Sequence, residues 1–235
     1  MELHPVLQKF SKGLVVSCQA YPGDPMYGEG VMCQMALAAE QGGAIGIRAS
    51  GADDIRSIKA RVNLPVIGII KRNYSDSEVY ITPTLAELNE IYEAGADMIA
   101  LDATSRKRPN GETLEQIVDY AKNTLGIPLM ADVSTLEEGL YAESLGFDAV
   151  GPTLAGYTPY SVSGPGPDWS LIRSLTARLS IPVIAEGRIE TPEDAARALR
   201  EGCHCVVVGT AITRPEAITA RFVRELKNAE GVNHV

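Results

Sequence analysis

No apolar run in this 235-residue chain comes near the ~20 residues that a membrane-spanning helix requires. The N-terminus, Met1-Glu2-Leu3-His4-Pro5, lacks the basic region and long apolar stretch of a secretory signal, which points to a cytoplasmic protein. Positive charge is in deficit: 21 Lys and Arg stand against 30 Asp and Glu, a net charge of −9. That balance argues against sequence-independent binding to nucleic acid or to an anionic membrane. Histidine is rare, with His4 and His234 near the termini and His204 at the start of a predicted strand. Ser17, Ser134 and Ser161 therefore have no partner for a serine–histidine triad. The four cysteines, Cys18, Cys33, Cys203 and Cys205, read as buried reduced thiols. Cys203-His204-Cys205 looks like a ligand cluster, but strand alternation turns His204 away from its neighbours, and further ligands at zinc spacing are missing. No metal is expected.

What the chain does have is a rhythm, repeated about eight times, of a short apolar run followed by an amphipathic stretch. The predicted strands are Leu14–Cys18, Ala44–Arg48, Val66–Lys71, Met98–Asp102, Leu129–Asp132, Ala149–Pro152, Val183–Glu186 and Cys205–Val208. Several are short, nearly unbroken apolar runs, as expected of parallel strands buried on both faces. Thr84…Glu87 and Ser134…Glu137 read as capping boxes, and Thr191-Pro192-Glu193-Asp194 as a helix start with proline in the first turn. Gly42, Gly95, Gly146 and Gly202 stand where helices should end. Leu64-Pro65-Val66-Ile67, Ile127-Pro128-Leu129-Met130 and Ile181-Pro182-Val183-Ile184 are near copies that open the third, fifth and seventh strands. Separate repeats on odd and even strands favour a single (β/α)₈ barrel over residues 1–235, with the open doubly wound sheet as the alternative.

Active sites of such barrels lie at the C-terminal strand ends. Those ends carry Gln19, Arg48, Lys71, Asp102, Asp132 and Glu186. Asp97 and Asp148 precede strands and so belong to the opposite face. Counted from the strand-opening proline, Lys71 lies six residues on, and Asp132 and Glu186 lie four on. The offsets are all even, so the three side chains share one facing and should converge inside the barrel mouth. They would form either a reactive centre or an ion-pair network closing the barrel top. Gly187 after the seventh strand, Gly209-Thr210 after the eighth, and Arg214 before Pro215 suggest a phosphate grip. The loop Thr153–Pro167, rich in Gly, Pro, Ser and Tyr, reads as either a lid or a long connection.

The strings Ser17-Cys18-Gln19-Ala20, Gly46-Ile47-Arg48-Ala49, Gly68-Ile69-Ile70-Lys71-Arg72, Ala100-Leu101-Asp102-Ala103-Thr104, Ile184-Ala185-Glu186-Gly187-Arg188 and Ala211-Ile212-Thr213-Arg214-Pro215 occur in order at the strand ends. Together they resemble the bacterial N-acetylmannosamine-6-phosphate 2-epimerases, from about residue 10 to about residue 225. The resemblance implies a cytosolic enzyme of sialic acid breakdown that needs neither metal nor organic cofactor and forms a homodimer. It implies Lys71 and Glu186 as the catalytic pair. Gln19, Arg48, Asp132, Gly187, Arg188, Gly209, Thr210 and Arg214 would hold a phosphosugar substrate. Two departures stand out: Pro152 replaces a threonine expected after the sixth strand, and Thr210 replaces a small residue after Gly209. A lyase forming a Schiff base on Lys71, and a non-catalytic phosphosugar-binding barrel, are the rival readings.

Overall fold

A computed structural model describes residues 3–232. Eight parallel strands alternate with helices: α1 Pro5–Lys9, β1 Leu14–Cys18, α2 Val31–Gln41, β2 Gly46–Ser50, α3 Ala52–Arg61, β3 Val66–Ile69, α4 Leu85–Glu93 and β4 Met98–Asp102. There follow α5 Leu114–Tyr120, β5 Leu129–Asp132, α6 Leu136–Leu145, β6 Ala149–Gly151, α7 Trp169–Arg178, β7 Ile184–Ala185, α8 Pro192–Arg200, β8 Cys205–Val208, α9 Thr210–Thr213 and α10 Pro215–Val232. The sheet runs β6-β5-β4-β3-β2-β1-β8-β7, and a parallel bridge between Val150 and Val183 joins its two ends into a barrel. Among the described residues no helix is long and apolar enough to cross a membrane.

Two apolar layers follow from strand alternation. Val15, Ile67, Ile69, Met98, Ala100, Met130, Ala149, Ile184, Cys205 and Val207 fill the barrel interior. Their sequence neighbours, such as Val66, Leu101 and Ala131, face the helices. Helix α1 supplies Val6 and Leu7, and Phe10 follows it, to plug the N-terminal end. Gly46 makes room for that plug, since a Cβ there would lie 2.4 Å from the Phe10 ring.

The expected strands are present, with shifted ends. β2 begins at Gly46 because Ala44 still belongs to the close of α2, its N–H reaching Ala39 O. Gly43, not Gly42, takes the left-handed turn there, at φ 90°. β6 stops before Pro152, which has no N–H to offer a ladder, and β3 stops two residues short of Lys71. The capping box read at Ser134…Glu137 sits one residue later, on Thr135 and Glu138, while that at Thr84 stands as read and the helix start read at Thr191 closes a capping box with Asp194. The shift arises because the Glu138 carboxylate collects both Ser134 N and Thr135 N, at 2.7 and 3.1 Å.

Candidate active site

Parity along the strands decides which polar side chains meet. Ile67 and Ile69 face the interior, and two residues on so does Lys71; Met130 leads to Asp132 and Ile184 to Glu186 in the same way. On β2, Arg48 follows Gly46 inward and is 1% exposed. A cavity of about 420 Å³ opens above this layer, within the range of small-molecule sites. It is lined by Gln19, Arg48, Lys71, Glu186, Gly187, Arg188, Gly209, Thr210 and Arg214, nine of the ten residues expected from sequence.

Asp132, the tenth, lies deeper. It has no exposed surface and does not line the cavity, because Arg48 lies over it. The Arg48 guanidinium donates from Nη1 to Asp132 Oδ1 (3.1 Å) and from Nη2 to Oδ2 (2.6 Å), a bidentate grip. Nη1 also reaches Glu186 Oε2 at 2.6 Å. Thr153, which sequence reasoning missed, places its hydroxyl 2.6 Å from Asp132 Oδ1 and 3.3 Å from Glu186 Oε2. Thr153 lies two past Gly151, on the inward parity. Asp102 stays outside the cavity, held by Thr104 and by Arg106 at 2.6 Å.

The electrostatics bring the ordinary values of Lys71 and Glu186 toward one another. Burial is the first cause that raises the Glu186 carboxyl to about 7, with Asp132 adding to it; Arg48, Lys71 and Thr153 pull the other way. Lys71 is exposed to the cavity, yet neighbouring groups at the barrel mouth strip its ammonium of part of its hydration. That partial desolvation comes first in lowering its pKa below 10.5, followed by Arg48, against the opposing pull of Glu186 and Asp132. The Lys71 ammonium also sits 4.9 Å from the centre of the Tyr21 ring. Burial pushes the Tyr21 phenol up to about 12, so it remains a donor, and it gives its proton to Gln19 Oε1 at 2.6 Å.

The other end of the cavity has the features of an anion site. Gly187 and Arg188 take left-handed conformations, at φ 106° and 54°, turning the chain sharply after β7. Gly209 presses against Ser17, where a Cβ would meet the serine Cβ at 3.3 Å, and leads into the single turn of α9. Arg214 projects from the end of that turn and pairs with Asp24 at 2.9 Å. Arg188 donates to Gly166 O at 2.7 Å, and Thr158 and Tyr160 bond to Ser134 and Glu138, so the 153–167 loop is tied down at its middle and near its far end.

A family model described as "Putative N-acetylmannosamine-6-phosphate epimerase" matches residues 32–228. A Clostridium perfringens protein with the corresponding 2-epimerase description is 55% identical over 216 residues, covering 91% of this chain and 96% of its own length. A relative of the same description from Caldanaerobacter subterraneus subsp. tengcongensis is 51% identical over 223 residues, covering 94% of each chain. The solved N-acetylmannosamine-6-phosphate 2-epimerase of Clostridium perfringens superposes with a TM-score of 0.92 at 52% identity, over 95% of this chain and 97% of that one. A thiamine phosphate pyrophosphorylase from Pyrococcus furiosus shares the fold alone, with a TM-score of 0.59 at 18% identity.

Proposed function

The chain belongs to the N-acetylmannosamine-6-phosphate epimerase family, and we propose that Lys71 and Glu186 together interconvert N-acetylmannosamine 6-phosphate and N-acetylglucosamine 6-phosphate. The observation that carries the assignment of roles is the convergence of a lysine with a lowered pKa and a carboxyl raised to about 7 on one cavity. Epimerisation at C2 removes a proton beside the C1 carbonyl of the open-chain sugar and returns one to the opposite face. Lys71 moves that proton, directly or through a substrate hydroxyl. Glu186 has Oε2 engaged by Arg48 and Thr153, which leaves Oε1 as the oxygen offered to the cavity. In its protonated form that oxygen donates to O1 and stabilises the enolate.

Shared protonation removes a difficulty. A neutral lysine beside a protonated carboxyl carries the same total charge as the ion pair, so the active arrangement is a redistribution of one proton within a coupled pair. Gly187, Arg188, Gly209, Thr210 and Arg214 receive the phosphate, and its binding energy sets C2 against Lys71. The substrate carries a phosphate that does not cross membranes unaided, which supports a cytoplasmic site of action. Proton NMR of N-acetylmannosamine 6-phosphate with the protein in deuterium oxide should show the second epimer appearing with deuterium at C2. Folded protein that gives neither product nor exchange would sink the proposal.

A homodimer is part of the same reading. Its support is a pair of uncovered apolar surfaces. On α10, Phe222 and Leu226 are 70% and 67% exposed. Outside β8, a groove of about 420 Å³ is lined by Leu14, Leu199, Val206, Val208 and Ile212. Light scattering should give a dimer mass, and Phe222→Asp with Leu226→Asp should give a monomer; a monomeric wild-type chain overturns the assignment.

A further inference from the structure

Lys71 does not sit on a barrel strand. It lies two residues beyond β3, where its backbone bridges antiparallel to Ile81. Arg72 N donates to Tyr80 O at 3.0 Å, and Thr82 N to Ile70 O at 2.7 Å, so residues 80–82 form the partner strand of the segment that carries the lysine. The same partner segment is tied to β4, since Asp102 N donates to Ile81 O at 3.0 Å. Whatever fixes residues 80–82 therefore fixes Lys71.

Two costly features lie at the root of that segment. Thr82 has no exposed surface and holds φ at 45°, a left-handed conformation that a β-branched side chain rarely adopts and that the following Pro83 further opposes. Arg108 is 3% exposed, and its guanidinium is spent on backbone carbonyls: Nη2 donates to Thr82 O at 2.8 Å, Nε to Pro83 O at 3.0 Å, and Nη1 to Asp102 O. No carboxylate pairs with Arg108 among the described residues. A buried cation without an ion partner is expensive to keep. Here its three donors join the end of the 80–82 segment to the end of β4, the strand on one side of it. The Thr82 hydroxyl completes the hold by donating to Ala100 O at 2.7 Å.

We infer that Arg108 is a positioning residue for Lys71, acting through Thr82 and Ile81 rather than by touching the substrate. The inference rests on the proton-transfer role proposed for Lys71. Groups facing that lysine are Arg48 from β2, Asp132 from β5, Glu186 just after β7, Arg214 after α9 and Tyr21 after β1. Loosening the 80–82 segment lets the ammonium drift from them. A displacement of about 1 Å at a reacting group costs on the order of 10²-fold in rate without weakening the hold on the rest of the substrate.

Arg108→Lys keeps the charge but cannot fork to three carbonyls. Thr82→Gly keeps the carbonyl for Arg108 and takes φ 45° without strain, but loses the hydroxyl that binds β4. In both, kcat for N-acetylmannosamine 6-phosphate should fall, by on the order of 10²-fold in Arg108→Lys and 10-fold in Thr82→Gly, with KM held within about threefold. The basic limb of the kcat profile should move upward as Lys71 returns toward an ordinary lysine. If Arg108→Lys does not fold, Thr82→Gly decides alone. A folded variant with wild-type kcat and an unmoved basic limb overturns the inference, as does parallel loss of kcat and KM with that limb in place. Lys71→Ala, run beside them, tests the underlying role: full turnover there refutes the role of Lys71 itself, whatever the other variants do.

Discussion

The two ends of the barrel use the same chemical groups to opposite effect. At the N-terminal end Asp97 Oδ2 accepts Val66 N at 2.7 Å and Lys59 Nζ at 2.6 Å, while Asp148 Oδ2 accepts Leu129 N at 2.9 Å with Lys122 nearby at 3.7 Å. Each claims the first free N–H after a strand-opening proline, Pro65 or Pro128, and so fixes where the strand begins. At the C-terminal end Glu186 is packed among Arg48, Asp132, Lys71 and Thr153, and burial raises its carboxyl to about 7. A carboxylate with a backbone donor and one lysine at the rim holds the chain in place. One that burial and competing neighbours pull in both directions sits where a small input moves its proton, which is what proton transfer at neutral pH requires.

The sharpest break of this comparison is Lys71→Ala. It removes the proposed proton carrier from an exposed cavity position and leaves every barrel hydrogen bond in place. Turnover should fall by about 10³-fold or more, within the span of acid–base catalysis, with Tm near that of wild type. Assay of both epimers together with thermal melting checks it; wild-type turnover in the folded variant would refute the role.

Next comes Glu186→Gln, for which turnover should fall by about 10²-fold and stability should respond to pH. Because the carboxyl is raised from 4.5 to about 7, the folded protein holds a proton there that the unfolded chain has released. That preference stabilises the fold fully below about pH 4.5 and is lost as pH rises through about 7. A glutamine has nothing to lose over that window. The Tm of Glu186→Gln relative to wild type should therefore climb from pH 5 to pH 8, and a flat difference contradicts the raised carboxyl.

Much of this was legible because it is local in sequence. The three Pro-opened repeats mark β3, β5 and β7, and even spacing from each proline places Lys71, Asp132 and Glu186 on the inner parity. Depth was not legible. Parity gives the face of a strand, but whether Asp132 meets substrate or lies beneath Arg48 depends on a side chain from β2, 84 residues away in the chain. Thr153 carried only a parity signal, two residues past Gly151, and the turn at Pro152 obscured it. The 80–82 segment and its anchor Arg108 are contacts between loops, with no periodicity to announce them. A third repeat also diverges: Gly95-Ala-Asp97 and Gly146-Phe-Asp148 correspond to Gly202-Cys-His204. All three retain the same backbone bond to the preceding odd strand, yet the His204 ring turns to Leu7 O at 2.6 Å in the α1 plug. The repeat was visible; the plug that altered its last copy was not.

Thr153→Val narrows the comparison to one hydroxyl. The valine keeps the shape and removes the link between Asp132 and Glu186. Since Thr153 lowers the Glu186 pKa, its loss should raise it further and shift the acidic limb of the pH–rate profile upward. A drop in turnover of up to about 10-fold should accompany the shift, the low end of what one positioned group contributes. An acidic limb unchanged in the variant would show that Glu186 does not feel this hydroxyl.

The smallest effect is expected at the opposite end, and it completes the contrast. Asp97→Ala removes the acceptor for Val66 N, a buried strand's first donor after Pro65, and leaves Lys59 unpaired. The lysine is partly exposed and regains water, so its loss costs little. The stranded N–H costs about 1–3 kcal/mol. Asp97→Asn keeps an amide oxygen for Val66 N and gives up only the ion pair, so it should cost about 0.5 kcal/mol. Both variants should retain wild-type kcat and KM, since Asp97 stands a full strand length from Lys71. If denaturant melts ranked Asn as costly as Ala, the charge and not the backbone bond would be the stabilising element. If either variant lost turnover with its fold intact, the separation of a structural end from a reactive end would fail.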